Sequence, residues 1–215
     1  MSLIHVAIFT RAPVAGAAKT RLIPLLGAEG AARAQQAMTW HMLEMATALP
    51  DATVSLWCAG DVAHPFLQRC SAHFHVECVP QCDGDLGMRM ADCLRRGLAL
   101  NERVLLTGSD VPVMTTTDLA QAAAALDHAR MVFTPAEDGG YVLVGARRGG
   151  LEAACFDDVM WGGADVMAQT RQRLATRGWR TGHDWREMPA LWDVDTPADF
   201  ARALAETRLR AGPPY

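Results

Sequence analysis

Short apolar runs, rich in β-branched residues, alternate along the chain with longer stretches of helical character. Each short run has the length and composition of a buried strand. The predicted strands are Leu3–Thr10, Thr53–Ala59, Phe74–Val79, Arg103–Thr107, Met131–Thr134 and Tyr141–Ala146. The predicted helices are Ala28–Leu49, His64–Ala72, Asp85–Leu100, Thr116–Leu126, Ala164–Arg177 and Ala198–Arg210. This alternation favours a mainly parallel sheet that is covered on both faces by helices.

The segments between these elements contain no linker, internal repeat or low-complexity stretch. We therefore predict that residues 1–215 form a single domain, a three-layer α/β sandwich with a mainly parallel, mixed sheet. In such sheets, ligands bind where loops converge at the carboxyl ends of the strands. The polar, glycine-rich segments of this chain follow the first, fourth and fifth strands, which predicts a binding site at that edge.

Composition and charge narrow the classes of function. Half of the residues are apolar, the net charge is −4, and the basic residues are scattered along the chain. Duplex nucleic acid is therefore not an expected partner, because binding to its backbone needs a concentrated positive surface. Without a secretory signal pattern or an apolar run near the roughly 20 residues of a membrane span, we expect a cytoplasmic protein. Its tryptophans and methionines leave room for an apolar homodimer interface.

The cysteines allow two interpretations. Cys78 and Cys82 are spaced like zinc ligands, and His73 and His75 would complete a set of four. However, His75 lies on a predicted strand while Cys82 lies in the loop that follows it. We therefore expect all six cysteines to be reduced packing residues, as is usual for a cytoplasmic protein.

A basic loop follows the first strand. Arg11, Lys19 and Arg21 lie there among small residues that let the backbone approach a ligand closely. An ammonium and two guanidinium groups suit phosphate oxygens, so we predict a nucleotide-phosphate loop, with a solvated basic loop as the alternative. The loop lacks the Gly-Lys-Ser/Thr ending of a Walker A motif and the Gly-x-Gly-x-x-Gly of dinucleotide-binding proteins.

Carboxylates follow the fourth strand and precede the last helix. Asp110, in the turn Gly108–Pro112, lies at the predicted open edge of the sheet, although capping of the following turn would also explain it. Capping of the last helix by Asp195 or Thr196 explains that segment but leaves Asp193 without a role. Because Mg²⁺ takes one or two carboxylates together with substrate phosphates, Asp110 and Asp193 are candidate metal ligands.

Two glycine-rich turns and one aromatic residue complete the candidate site. Backbone amides before the third helix could contact a base or sugar. Together with the turn of the fourth strand they give the candidate nucleotide contacts Gly84, Asp85, Gly87 and Ser109. The candidate acceptor or sugar contacts are Glu137, Asp138, Gly139, Gly140 and Trp161. The alternatives are an ordinary Asp-Gly turn and a tryptophan that only packs.

At these motifs the sequence resembles a bacterial family. In order, they read FTRAPVAGAAKTRL, GDLGMRM, TGSDVP, PAEDGGYVLVG, the Trp161-Gly162 segment and DVDTPADF. They resemble the glycosyltransferase-A-type proteins described as uncharacterised glycosyltransferases or nucleotide-diphospho-sugar transferases, some associated with arsenosugar biosynthesis. The first loop is also distantly similar to that of 2-phospholactate guanylyltransferase.

The resemblance implies a nucleotide-diphospho-sugar transferase fold, which is Rossmann-like, and a nucleotide-activated donor. It further implies that Lys19 and Arg21 hold the donor phosphates and that Asp110, with Asp193 or Asp195, binds Mg²⁺ or Mn²⁺. Lys19 would then assist catalysis, and Asp138 is the candidate base toward a small-molecule acceptor.

The motifs are compatible with more than one reaction type. The turn that contains Asp110 lacks the Asp-x-Asp of many sugar transferases. Nucleotidyl transfer from a nucleoside triphosphate to a phosphorylated metabolite is therefore an alternative to glycosyl transfer, and a non-catalytic nucleotide-binding module is a third hypothesis.

Overall fold

A computed structural model describes residues 4–207 and contains one seven-stranded sheet. Its strands are β1 (Ile4–Arg11), β2 (Ala52–Ala59), β3 (Glu77–Pro80), β4 (Arg103–Gly108), β5 (Met131–Pro135), β6 (Tyr141–Arg147) and β7 (Trp185–Glu187). The helices are α1 (Ile23–Thr47), α2 (Pro65–Phe74), α3 (Leu86–Leu100), α4 (Thr116–Ala125), α5 (Val166–Thr176) and α6 (Pro197–Glu206). Two short 3₁₀ helices cover Thr20–Leu22 and Ala153–Phe156.

The strand order is β3-β2-β1-β4-β6-β5-β7, and only β6 runs antiparallel to its neighbours. In the register of β1 and β4, Phe9 lies opposite Gly108, so both strands end at the same edge of the sheet. The loops that follow β1 and β4 therefore emerge side by side. This topology confirms the predicted α/β class with a mixed, mainly parallel sheet.

Both faces of the sheet are covered, which explains why the central strands are apolar runs rather than alternating patterns. In β4, Leu105 packs on one face with α1, α2 and α4, whereas Val104 and Leu106 pack on the other face with α3 and α5. A third cluster joins α1 to α6 through Trp192, Val194 and Phe200. This last cluster positions the segment before α6 next to the open edge of the sheet.

The structure corrects several predicted boundaries. The predicted strand from Phe74 begins only at Glu77, because α2 continues through Phe74 and ends at His75 in a left-handed conformation (φ 55°). Helix α1 begins at Ile23, before the predicted start, and Gly27 breaks it (φ 69°, ψ 170°) one residue before Ala28.

Strand β7 has no counterpart among the predicted elements. Its residues Trp-Arg-Glu have no apolar pattern, but they pair in parallel with β5, and the Asp184 carbonyl accepts bonds from the Arg130 and Met131 amides. Its existence therefore depends on tertiary pairing that local sequence does not encode. Leu3 and the predicted end of the last helix at Arg210 lie outside the described residues.

All six cysteines are free, and the zinc set is not assembled. The Cys78 thiol donates to the Leu67 carbonyl, and within residues 4–207 the zinc candidates do not form a group of three or more ligands. No helix in the same range is long and apolar enough to cross a membrane.

Candidate functional site

A cleft of about 680 Å³ opens at the carboxyl edge of the sheet. The ends of β1 and β4, the loop after β1, the first turn of α3 and the segment before α6 line it. Seven of the predicted site residues therefore share one cavity, although they are far apart in the sequence: Arg11, Lys19, Arg21, Ser109, Asp110, Asp193 and Asp195.

The turn after β4 directs Asp110 back over the end of its own strand. The Ser109 amide donates to the Phe9 carbonyl at 2.9 Å, which ties the turn to β1. A Cβ atom at Gly108 would lie 2.5 Å from Asp110 Oδ1, so only glycine leaves room for the carboxylate there. The predicted exposed acid at the strand end is thus a carboxylate with a fixed direction.

The segment before α6 brings two more carboxylates to Asp110. Trp192 and Val194 are buried, so the residues between and after them, Asp193 and Asp195, point the other way. The Val194 amide donates to the Asp110 carbonyl at 2.9 Å, which fixes this segment against the turn. One oxygen from each of the three carboxylates lies within 4.8 Å of the others.

The N-terminus of α6 is capped as predicted, and the cap does not use the side chains of Asp193 and Asp195. Thr196 is the N-cap, Pro197 opens the helix, and Asp199 completes a capping box with Thr196. Asp193 and Asp195 therefore have no part in the side-chain cap.

Two basic residues of the first loop contact this acidic group. Lys19 Nζ donates to Asp110 Oδ2 at 2.7 Å, to the Val194 carbonyl at 2.6 Å and to Asp195 Oδ1 at 3.3 Å. Arg21 donates to the other oxygen of Asp195 at 2.8 Å. The Lys19 side chain is 10% exposed and that of Arg21 is 72% exposed, so Lys19 is the internal partner and Arg21 the external one.

The electrostatics of this group favour a further cation. Burial, reinforced by the charges of Asp110, Asp195 and Asp138, raises the pKa of Asp193 to about 7. Burial alone would lower the pKa of Lys19, but Asp110 and Asp195 outweigh it and the pKa is raised. With Asp193 ionised, three carboxylates against two cations leave one excess negative charge, and oxygen ligands suit Mg²⁺ or Mn²⁺. The three aspartates could therefore hold a divalent cation.

A buried polar network supports the two strand ends. Gln35 of α1 donates from Nε2 to Ser109 Oγ at 3.0 Å and to Thr10 Oγ1 at 3.1 Å, with Thr39 Oγ1 at 3.3 Å. His41 lies in the same helix, and its Nε2 hydrogen-bonds to the Pro112 carbonyl at 3.0 Å. These α1 residues were absent from the predicted site, because polar residues in a helical pattern do not reveal which strand end they face.

Arg89 is a second residue that the prediction missed. It lies in the first turns of α3 and lines the cleft, and its buried Nε has no hydrogen-bond partner. Neither Arg89 nor Arg11 forms an ion pair within residues 4–207, whereas Lys19 and Arg21 both do. The cleft therefore contains two cations that are available to an anionic ligand. The motif GDLGMRM contained this signal, since it places an arginine one helical turn after the cap Asp85.

The candidate nucleotide contacts near α3 have structural roles. Asp85 is the N-cap of α3 and accepts from the Met88 amide at 2.8 Å. A Cβ atom at Gly87 would lie 2.8 Å from the Trp161 ring, so this glycine admits Trp161 to the surface of α3. Gly84 has φ +112°, which favours glycine. Ser109 is buried and bonded to Gln35, so its hydroxyl supports the turn.

The candidate acceptor or sugar contacts are not among the residues that line the cleft. Glu137 forms an exposed ion pair with Arg202 at 2.7 Å, and Asp138 Oδ1 accepts from the Gly140 amide at 2.9 Å. A Cβ atom at Gly139 would lie 1.8 Å from the Ala164 carbonyl oxygen, so the close approach predicted for a ligand is made here by the chain itself.

Asp138 and Trp161 retain a connection to the cleft. The charge of Asp138 contributes to the raised pKa of Asp193. The Trp161 ring packs edge-on against Tyr141, which lines the cleft, with 6.3 Å between the ring centroids.

Solved structures of other proteins share this fold. A crystal structure from Desulfovibrio desulfuricans G20, described as a candidate nucleotide-diphospho-sugar transferase, has a TM-score of 0.83 and 26% identity, covering 97% of this chain and 93% of that one. 4-Diphosphocytidyl-2C-methyl-D-erythritol synthase from Anaerococcus prevotii has a TM-score of 0.64 and 12% identity, covering 95% of each chain.

A third similar structure is glucosyl-3-phosphoglycerate synthase from Mycobacterium tuberculosis, in complex with Mn²⁺, uridine diphosphate and glucosyl-3-phosphoglycerate. Its TM-score is 0.55 at 10% identity, and the match covers 95% of this chain and 76% of that one. The α/β fold thus matches nucleotide-diphospho-sugar transferase structures, and glycosyl- and nucleotidyltransferases share it.

Comparison with curated proteins gives no match. The sequence profile of one protein family, described as "Uncharacterized protein conserved in bacteria (DUF2064)", matches residues 42–163, which is more than half of the chain. The chain therefore belongs to the DUF2064 family.

Proposed function

We propose that the protein is a metal-dependent transferase that moves a glycosyl group from a nucleoside diphosphate sugar to a small-molecule acceptor. One observation carries the proposal: three carboxylates and the basic loop converge on one cleft at the carboxyl edge of the sheet. This edge is where α/β sheets bind ligands, and the combination suits a nucleotide diphosphate with its cation. Similarity to nucleotide-sugar transferases supports it.

The diphosphate of the donor would bind between the three aspartates and two arginines that form no ion pair in the described chain. Arg11 and Arg89 line the cleft without ion pairs in the described chain, and guanidinium groups donate paired hydrogen bonds to phosphate oxygens. Asp110, Asp193 and Asp195 would hold Mg²⁺ or Mn²⁺. When bound, the metal supplies charge stabilisation to the departing diphosphate.

The chemical step has three parts in this proposal. An acceptor hydroxyl attacks the anomeric carbon, the bond from that carbon to the diphosphate oxygen breaks, and the nucleoside diphosphate leaves. The acceptor proton passes to a carboxylate, for which Asp138 is our candidate. The negative charge of Asp138 helps to raise the pKa of Asp193. Asp138 is exposed, and only its Oδ1 accepts a hydrogen bond from a backbone amide, that of Gly140. Lys19 and Arg21 would donate to the leaving group.

Nucleotidyl transfer is the second candidate, and a specific feature favours it. The basic loop directly follows β1, and Asp110 follows β4 without a second aspartate two residues before it. In that reaction an acceptor phosphate attacks the α-phosphate of a nucleoside triphosphate and releases pyrophosphate, and the same cations would brace the phosphoryl group. The similarity in fold to 4-diphosphocytidyl-2C-methyl-D-erythritol synthase supports this candidate.

Product analysis separates the two candidates. The purified protein is incubated with Mn²⁺ and panels of nucleoside diphosphate sugars or nucleoside triphosphates, together with small hydroxylated and phosphorylated acceptors. Release of nucleoside diphosphate with a glycosylated acceptor supports the proposal, whereas pyrophosphate release with a nucleotide-linked acceptor supports the second candidate. Tight nucleotide binding without turnover would instead identify a non-catalytic binding module.

The variant Asp110→Asn tests the site itself. It keeps the size of the side chain and removes its charge, so turnover should fall at least about 100-fold, the usual scale for loss of an electrostatic contact in a transition state. Glu29→Gln is the matched control, because Glu29 is exposed on α1 and does not line the cleft. Equal turnover in Asp110→Asn and Glu29→Gln would refute the assignment.

A further inference from the structure

The 215-residue sequence has a single lysine, Lys19, and nineteen arginines. That lysine lies among the three clustered aspartates rather than on the surface, and its side chain is 10% exposed. A lysine differs from an arginine in carrying a compact charge with three diverging N–H donors instead of a planar fork. A lysine at position 19 therefore suits a site that offers three acceptors in different directions.

All three protons of the Lys19 ammonium have acceptors inside the protein. These acceptors are Asp110 Oδ2, the Val194 carbonyl and Asp195 Oδ1, at 2.7, 2.6 and 3.3 Å. In this position the ammonium has no proton left for a phosphate oxygen. Lys19 therefore cannot bind donor phosphates and keep its present contacts at the same time.

The same contacts overlap with the candidate metal site. Two of its three carboxylates, Asp110 and Asp195, already have an oxygen in contact with the ammonium. A divalent cation that bridges the three carboxylates would lie next to the ammonium charge and repel it. With Lys19 and Arg21 both in place, the added cation would also turn the excess negative charge of the group into an excess positive charge.

Release of the Lys19 ammonium from the carboxylates needs only rotation of its side chain. The Lys19 φ and ψ of 46° and 48° are left-handed, a conformation that few residues other than glycine adopt. The side chain has four rotatable bonds, so the ammonium can leave the carboxylates without a change in the loop. Phosphate oxygens in the neighbouring cleft would offer it replacement acceptors.

We propose that Lys19 is the resident cation of this site, and that it gives way to a divalent cation only when phosphate groups in the cleft accept its ammonium. This inference rests on the proposed function, since it assumes that the three carboxylates bind a metal. Its consequence is coupled binding, in which the metal and the donor phosphates each strengthen the binding of the other.

The first test measures Mn²⁺ affinity by electron paramagnetic resonance, with Mn²⁺ as the only ligand. Lys19→Met keeps most of the stem and removes the charge, so we expect its Mn²⁺ affinity to exceed that of the wild type about tenfold or more. Arg33→Met is the matched control, because Arg33 is exposed on α1 and does not line the cleft, and its affinity should change less than about threefold. If Lys19→Met folds poorly, as judged by thermal melting, Lys19→Gln replaces it.

The outcomes separate this inference from the proposed function. Equal or weaker Mn²⁺ binding by Lys19→Met would overturn the inference, even if Asp110→Asn abolishes binding and so supports the metal site. If Asp110→Asn binds Mn²⁺ as tightly as the wild type does, the metal site fails, and both proposals fail with it.

The single lysine also allows a direct test of its movement. Protein labelled with [¹⁵N]lysine gives one side-chain ammonium signal, from Lys19. Mg²⁺ alone should leave this signal unchanged, whereas Mg²⁺ with inorganic pyrophosphate should shift it, because the ammonium changes acceptors. A shift with Mg²⁺ alone, or none with both ligands at saturating concentrations, would overturn the coupling.

Discussion

Replacement of Gln35 tests whether the buried network below the cleft supports the turn that contains Asp110. Gln35→Met conserves the length of the side chain and removes its amide. The amide nitrogen has two protons and three hydroxyl acceptors within 3.3 Å, so about two full hydrogen bonds are lost. Thr10 and Thr39 keep the 3.0 Å bond between their hydroxyls, whereas Ser109 loses its side-chain partner.

The structure gives a magnitude for this loss. A buried hydrogen bond contributes about 0.5–1.5 kcal/mol, so two of them correspond to a decrease of about 2 kcal/mol in the free energy of unfolding. For a chain of this size the melting temperature should fall by about 4–8 °C. The matched control is Gln36→Met at the next position of α1, which is half-buried and should change the free energy by no more than about 0.5 kcal/mol.

Urea unfolding followed by tryptophan fluorescence measures both variants, since the chain has six tryptophans. The Mn²⁺ affinity of Gln35→Met should also decrease, because the turn before Asp110 loses its support. If Gln35→Met and Gln36→Met have the same free energy of unfolding and the same Mn²⁺ affinity, the network does not support the site and the reasoning is wrong.

Three further predictions concern charge and backbone. Because the pKa of Asp193 is raised to about 7 in the folded state, its stabilising contribution is complete below the ordinary aspartate pKa of about 3.9 and is lost as pH rises to the folded value; metal-free wild type should lose thermal stability relative to Asp193→Asn between about pH 4 and pH 7. Gly139→Ala should cost about 3 kcal/mol or more in chemical denaturation, because its Cβ would collide with the Ala164 carbonyl at φ +94°, whereas Gly149→Ala, in open space at φ +71°, should cost about 1–2 kcal/mol. Arg89→Met should weaken nucleotide binding about tenfold in calorimetry, because it removes an unpaired cation from the cleft.

The sequence was sufficient to predict six of the seven described strands and the sheet edge at which the candidate site lies. Apolar runs such as β4 are long enough to identify a strand that is buried on both faces, and Asp110 follows it directly. The capping box at Thr196 could also be predicted, because N-caps depend on residues only three positions apart. By elimination, that cap singled out Asp193 as an acid without a local role.

Long-range pairing could not be predicted in the same way. The polar strand β7 forms only because β5 offers it an edge, and Gln35 faces Ser109 only because α1 crosses both strand ends. The ion pair between Lys19 and Asp110 joins residues 91 positions apart, so the sequence suggested a phosphate ligand for a lysine that contacts carboxylates in the folded chain. Gly139, similarly, accommodates a backbone carbonyl of the chain itself.

The central claim is that the three carboxylates bind a divalent cation together with a nucleotide diphosphate. Anomalous diffraction from crystals soaked with Mn²⁺ and uridine diphosphate tests it most directly. The account predicts one Mn²⁺ peak per chain in contact with Asp110, Asp193 and Asp195, and the loss of that peak in Asp110→Asn. A Mn²⁺ peak only at other residues, or a peak at the carboxylates that persists in Asp110→Asn, would contradict the account.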